Sequence, residues 1–445
     1  MTVEFTALPS SVHEPDEAQP PGTSITTCAE ERPLTAGETA LAVPGTPMIT
    51  HQTLHGPLDV PALRAAVADL STLHPVLTAR ILPGASGYIL RRSPAAAAPA
   101  LRWATWPEVG SGTESAAAPF SVGSPLLRAT LHTRSSQSHQ LTLALSHAIA
   151  DGTSFMALHG TLWERYCAHT ASLASQLPTP PSALPAPVEE MFTGRFTAQD
   201  IADFLRRRAE RIDSTACARM APLAALESGP GHEPGIHLRR TDIPADQLAR
   251  LTQATRDCGI SLHHALCAIT LAAIRSQIPG PPHALAMTFM SPVDVRRRAG
   301  IPHDRLVMAV AVPDMTVDVT PDAHPLTLGT QISQQFRATV ADGSIDRSIA
   351  AMPQLLAEAG NAAPMTAFIS NVMNRATRAL PPDELNAGPL EAYTYAPGPV
   401  PAVFFTDLPG QSMAFTLALP RAWYTAAQTN ALAQAINRTF TRACR

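Results

Sequence analysis

The sequence predicts an α/β chain, with mixed sheets flanked by helices and arranged as two halves. Three observations point there. Segments in which apolar residues alternate, and segments in which they recur at helical spacing, follow one another in both halves, as layered α/β or α+β folds require. Two breaker-rich stretches, LPTPPSALPAP at 177–187 and SGPGHEP at 228–234, mark the middle of the chain as a crossover. With 445 residues, 45% of them hydrophobic, the chain can fill two cores and is not disordered. The expected division is a flexible tail at 1–24, a first lobe at 25–187, a crossover at 188–234 and a second lobe at 235–445.

The first lobe opens on a helix. In HGPLDVPALRAAVADLSTLHP, Asp59 is the N-cap and Pro61 sits in the first turn, while Leu63, Ala66, Val67, Leu70 and Leu73 form one apolar face that Pro75 ends. VLTARILPGASGYILRR then predicts two strands around a glycine turn, and SPAAAAPA at 93–100 a surface loop. PLLRATLHTRSSQSHQLTLALS repeats the hairpin with a turn at 134–139, and the alternation of Leu141, Leu143 and Leu145 predicts one buried face. From Thr153 to Tyr166 the spacing returns to helix through Phe155, Leu158 and Leu162.

The second lobe opens on the strand HLRRTDI, followed by a helix from Pro244. Ser261 then caps a helix whose Leu262, Leu266, Ile269 and Ala273 share one face. Strands are expected at ALAMTFMSPVD, LVMAVAVP, MTAFISNV and MAFTLALP, with a closing helix from Trp423 to Phe440.

Composition excludes several functions. The net charge is −4 and the basic residues are scattered, unlike a nucleic-acid binder. No run reaches the ~18 apolar residues of a membrane helix and the N-terminus has no signal-peptide pattern, so a cytoplasmic protein is expected. Six scattered cysteines form no CxxC pair and fit neither a zinc site nor a disulfide framework. There is no GxGxxG or P-loop.

The stretch that carries chemistry is SHAIADG, with His147, Asp151 and Gly152. It lies where an alternating strand gives way to a helix, a junction that can present a side chain into a cleft. Neutral imidazole, with a pKa near ~6.5, can take a proton from an alcohol, thiol or amine attacking an acyl carbon. Asp151 either orients that imidazole as in a catalytic triad or turns away to an arginine or backbone donors. The plain alternative for His147 is an ordinary turn histidine.

SHAIADG resembles the His-His-xxx-Asp-Gly motif of the chloramphenicol acetyltransferase-like superfamily, which includes condensation domains, plant BAHD acyltransferases and wax-ester synthases. The likeness is greatest to polyketide-associated acyltransferases of the phthiocerol dimycocerosyl transferase type. It extends through LSTLHPVLTARI, the helix reaching LWERY, ISLHHALCAITLAAI, SPVDVRRR and ISNV at 369–372. The resemblance implies two related lobes with a tunnel between them, His147 facing the tunnel as general base, and Asp151 paired with Arg296 of the PVDxR segment. It also implies an acyl-CoA or phosphopantetheinyl acyl thioester as donor, an acyl-carrier protein or polyketide synthase carrier domain as possible partner, and a small-molecule alcohol as acceptor. From the residues themselves no metal and no permanently bound cofactor are expected. A monomer is expected. Ser146 stands where many relatives carry the first histidine, and the plant-type Asp-Phe-Gly-Trp-Gly segment is absent.

Other features have two readings each. Ser370 and Asn371 are candidates for binding substrate or its oxyanion, or Asn371 simply bonds its own turn. His263, His264 and Cys267 suggest a metal but lack a nearby carboxylate. Arg206, Arg207, Arg208 and Arg211 suit a carrier protein or coenzyme A phosphates, but equally an exposed helix face. The leading expectation is O-acyl transfer to a polyketide- or lipid-like alcohol; a condensation-type amide-forming enzyme, a non-catalytic carrier-docking scaffold and a cyclising enzyme are the alternatives. All 32 basic residues are arginine. Codon bias accounts for the direction, and the exclusion of amine nucleophiles from a thioester tunnel is a weaker second explanation.

Overall fold

The computed structural model describes residues 30–92, 99–105, 117–173, 184–192, 194–213, 215–224, 235–280, 282–357, 365–372, 381–394, 398–408 and 412–445. The tail at 1–24, Pro178, Pro180 and Pro181, the 228–234 run and most of the 93–100 loop lie outside the described residues.

After β1 (Glu31–Pro33), α1 (Ala36–Ala42) starts from a capping box between Thr35 and Glu38. β2 (Pro47–His55) leads to α2 (Val60–Leu73), where the Asp59 carboxylate accepts the Ala62 N–H at 2.9 Å and Leu63, Ala66, Val67 and Leu70 are buried. Leu73, expected on the same face, is only half-buried. β3 (Ala79–Gly84) and β4 (Gly87–Arg92) form the expected hairpin. β5 (Leu101–Thr105), β6 (Leu127–Ser135) and β7 (Ser138–Ser146) follow, and then α3 (Gly152–Thr170). In the crossover stand α4 (Val188–Phe192) and α5 (Ala198–Asp213).

The second half begins with β8 (Ile236–Ile243), α6 (Ala245–Asp257) and α7 (Leu262–Arg275). Next come β9 (Leu285–Met290), β10 (Val293–Asp294), α8 (Arg296–Ala299), β11 (Val310–Ala311) and β12 (Asp314–Val319). Three helices follow, α9 (Pro325–Ala341), α10 (Ser344–Ala350) and α11 (Met352–Ala357). The chain closes with β13 (Ala367–Asn371), β14 (Glu391–Tyr393), β15 (Ala402–Leu408), β16 (Ser412–Pro420) and α12 (Ala426–Ala443).

Two mixed sheets organise these elements. The first has the order β14-β2-β7-β6-β5 and the second β12-β9-β13-β15-β16-β8. Each combines antiparallel pairs with parallel ones, β5 with β6 in the first and β13 with both β9 and β15 in the second. Sequence order does not keep the sheets apart: β14, from the second half, pairs antiparallel with β2, Tyr393 opposite Ile49.

Three expectations need correction. Leu141, Leu143 and Leu145 do face the core beneath α2 and α3, but the other face of β7 is buried too, with Ala144 and Ile49 packed against Phe404 and Ala418 of the second sheet. The alternation therefore records one of two packed faces. Second, α7 is buried from His264 to Arg275 rather than along one stripe, because it lies between the second sheet and the helices α9 and α12. Third, LVMAVAVP is mostly not strand. Only Val310–Ala311 pairs, with β10, and the longer edge strand is the following DMTVDV. The short apolar run is buried among Val295, Ile345 and Ile349 without needing a ladder.

Candidate active site

His147 follows directly on β7. Its N–H donates to the Thr46 carbonyl at 2.9 Å, and a tight turn closes as the Ile149 N–H reaches the Ser146 carbonyl at 3.2 Å. The ring Nδ1 lies 2.9 Å from the Ala150 carbonyl oxygen. A carbonyl only accepts, so Nδ1 carries the proton in the neutral ring and Nε2 keeps its lone pair. Burial pushes the imidazole pKa below its ordinary value, against the opposing pull of the Ala150 carbonyl and the Asp151 charge. The ring is half-buried and lines a cavity of about 790 Å³, within the ~300–1,000 Å³ usual for ligand sites.

The Asp151 carboxylate is bonded elsewhere than to the His147 ring. Asp151 is the N-cap of α3, its Oδ1 accepting the Ser154 N–H at 3.0 Å, while the Ser154 hydroxyl caps the Asp151 N–H in return at 3.1 Å. Its Oδ2 accepts from Arg296 Nη1 at 2.6 Å and from the Ala309 N–H at 2.8 Å. Both residues are 1% exposed. Arg296 Nη2 donates to the Val307 carbonyl at 2.9 Å. The ion pair thus ties the start of α3 to the α8 region, while the Ala150 carbonyl holds the histidine's Nδ1.

Gly152 is small for a reason of contact. A Cβ there would stand 3.0 Å from Val372 Cγ1, just beyond the end of β13. That approach brings Ser370 and Asn371 into the wall of the cavity that His147 lines. The structure therefore gathers His147, Asp151, Gly152, Ser370 and Asn371 around one space and places Arg296 behind it, bonded to Asp151. Ser146, directly before His147, is buried with no hydrogen-bond partner for its Oγ.

Some contributors escape sequence reasoning. Asp294 accepts the Thr153 hydroxyl at 3.0 Å through Oδ2 and the Arg296 N–H at 2.8 Å through Oδ1, making a second tie between the halves. It is the aspartate of PVDxR, so the signal was present. Tyr393 lines the cavity and its hydroxyl lies 2.8 Å from His51 Nε2, while His51 Nδ1 lies 2.8 Å from Thr142 Oγ1. Burial, with a smaller push from His132, lowers the His51 pKa to about 4, so the ring is neutral. No local pattern marks this set, because Tyr393 reaches it only through the β14–β2 pairing.

The arginine run divides. Arg206 and Arg207 are exposed, as an ordinary helix face would be, and Arg206 pairs with Asp203 and Glu210. Arg208 and Arg211 instead reach Asp314 at 3.0 and 3.3 Å, and all three line the cavity. His263 Nε2 lies 2.8 Å from Ser291 Oγ and 3.6 Å from Cys267 Sγ. Burial pushes the Cys267 thiol up to about 12, so it is neither a thiolate nucleophile nor a ready ligand. Among the described residues no three His, Cys, Asp or Glu side chains cluster as a metal site, and no single helix is long and apolar enough to cross a membrane.

Comparison with known proteins bears on the fold. The profile of the phthiocerol/phthiodiolone dimycocerosyl transferase C-terminus family matches residues 233–429. Polyketide synthase associated protein 5 from Mycobacterium tuberculosis superposes with a TM-score of 0.70 at 19% identity, over 92% of this chain and 97% of that one. A trichothecene 15-O-acetyltransferase from Fusarium sporotrichioides gives 0.76 at 12% identity, over 95% and 96%. The first condensation domain of the calcium-dependent antibiotic synthetase gives 0.70 at 16%, over 93% and 96%. Among curated proteins, malformin synthetase mlfA of Aspergillus niger is 32% identical over 133 residues, which are 29% of this chain and 3% of that protein. The chain spans only a few per cent of such relatives. The family profile thus matches the second half of the chain, and the chain as a whole has the fold that polyketide synthase associated protein 5, the trichothecene acetyltransferase and the condensation domain share.

Proposed function

We propose that the chain transfers an acyl group from a thioester, on coenzyme A or on a carrier protein's phosphopantetheine, to the hydroxyl of a polyketide- or lipid-like acceptor. One observation carries the reading: the Ala150 carbonyl fixes the Nδ1–H tautomer of His147 in a cavity walled by both halves, leaving Nε2 free to accept a proton. Nε2 takes the acceptor's hydroxyl proton as its oxygen forms the new bond to the thioester carbon. The resulting oxyanion is held by the Ser370 hydroxyl and the Asn371 amide, both in the cavity wall. Collapse expels the thiolate, which recovers the proton from imidazolium, so no covalent acyl-enzyme is required. Asp151 and Arg296 position the histidine's turn and take no part in proton transfer.

The test is a matched set of reactions followed by mass spectrometry, with acyl-CoA and acyl-carrier donors against an alcohol and an amine of equal size. Ester with the alcohol, lost in His147→Ala, supports the proposal. Amide as the preferred product moves the chain to the condensation type. Product formation unchanged by His147→Ala overturns the histidine mechanism.

A further inference from the structure

Two helices of the chain end in the same way. The α6 helix closes with the Gly259 N–H on the Arg256 carbonyl and the Ile260 N–H on the Thr255 carbonyl, each at 3.0 Å. At the end of α1 the Gly45 N–H reaches the Ala42 carbonyl and the Thr46 N–H the Leu41 carbonyl, also at 3.0 Å. Both are Schellman turns around a glycine in the left-handed region, with φ +64° at Gly259 and +65° at Gly45. Locally, ending a helix is all that either glycine has to do.

Their surroundings differ. A Cβ on Gly259 would meet nothing within 4 Å. On Gly45 it would stand 2.3 Å from the carbonyl oxygen and 2.7 Å from the nitrogen of Phe120, backbone atoms that no rotamer change can move aside. The Phe120 N–H donates to the Gly45 carbonyl at 2.8 Å, so the two segments meet backbone to backbone. Arg128 holds Phe120 in turn: its guanidinium lies 4.0 Å from the ring centroid and donates to the carbonyls of Ala118 and Pro119. The next residue, Thr46, is buried and bonded on both sides. Its N–H goes to Leu41, which lines the cavity, and its carbonyl accepts the His147 N–H at 2.9 Å.

We infer that Gly45 is a positioning residue for His147: because it has no side chain, the Phe120 backbone closes on the turn and fixes where the Thr46 carbonyl holds the histidine beside the cavity. Its effect on rate rests on the reading of His147 as base, whereas the placement of the ring can be read without turnover.

Gly45→Ala and Gly259→Ala both put a side chain into the left-handed region, but only the first also meets backbone. Two readouts separate them. One is kcat and KM; the other is the ring-nitrogen NMR signals of His147 in chain carrying isotope-labelled histidine, assigned by their absence in His147→Ala. Gly45→Ala should lower kcat by up to ~10²-fold with KM kept, as misplacement of a catalytic group by about 1 Å does, and should move the His147 signals. Gly259→Ala should change neither. Adding Arg128→Ala to Gly45→Ala lets Phe120 draw back from the new methyl and should restore part of both readouts; this double variant is also the one measured if Gly45→Ala alone does not fold. A Gly45→Ala chain that matches Gly259→Ala in kcat and in the His147 signals overturns the inference, and so does a loss of kcat with those signals unmoved. If the signals move but the wild-type chain transfers no acyl group from any thioester, the positioning stands and the proposed activity falls.

Discussion

Arg296 Nη1 and Asp151 Oδ2 meet at 2.6 Å, both side chains 1% exposed, across 145 positions of sequence. The carboxylate also takes the Ala309 and Ser154 N–H groups, so the pair is held within a polar network linking the two halves. Arg296→Ala leaves a buried carboxylate without its cation and should lower stability by about 3–5 kcal/mol, read by urea unfolding. Asp151→Asn with Arg296→Met should cost less than the sum of the two single changes. Additive losses would mean that the two groups do not act as a pair.

His147→Ala should reduce kcat by roughly 10²–10⁴-fold with little change in melting temperature. Because burial lowers the pKa of His147, the base stays deprotonated below the pH at which free imidazole protonates. The acid limb of kcat/KM is accordingly expected below pH ~6.5. A limb above that value, absent in the alanine variant, would contradict the assigned environment.

His51 gives a pH dependence of stability. Its folded pKa is about 4, whereas the unfolded chain titrates near ~6.5, so between those values only the unfolded state binds the proton. Stability from this group is complete above ~6.5 and lost as pH falls, by about 2 kcal/mol at pH 5. His74, also lowered to about 4 chiefly by burial, adds in the same direction. His51→Gln should be less stable at pH 7.5 but show a smaller loss between pH 7.5 and 5 in urea titrations. An unchanged slope would remove His51 from the account.

Gly152→Val should lower kcat/KM by pushing Val372 and the neighbouring Asn371 away from the start of α3, since even a Cβ would stand 3.0 Å from Val372 Cγ1. Val372→Ala in the same chain should restore part of the loss. Failure of that rescue would place the defect in the helix start itself.

Asn371→Ala should reduce kcat and kcat/KM together, by about 10²–10³-fold, if its amide meets the oxyanion only in the transition state. A rise in KM alone would make Asn371 a ground-state binding group.

Local order was legible in the sequence wherever one element buries one face. Asp59 and Pro61 mark the start of α2, and the spacing of Phe155, Leu158, Leu162 and Tyr166 marks α3, because capping and helical period are written within a few residues. The reading failed where a second layer covers the other face. The whole circumference of α7 is buried, both faces of β7 are packed, and DMTVDV pairs as an edge strand, none of which a single period can express. Of the site, His147 and Asp151 stood out because a short turn fixes their relation, and Arg296 was recognisable only by resemblance.

The sequence alone determined the class of fold, the turn that presents His147, and that every side-chain cation other than histidine is arginine. Tertiary structure decided which partner Asp151 takes, which arginines of α5 turn to Asp314, and that the turn ending α1 stands against His147. The physical reason is range. Hydrogen bonds of caps and turns join neighbours in the chain, whereas burial and ion pairing join groups that only packing brings within a few ångströms.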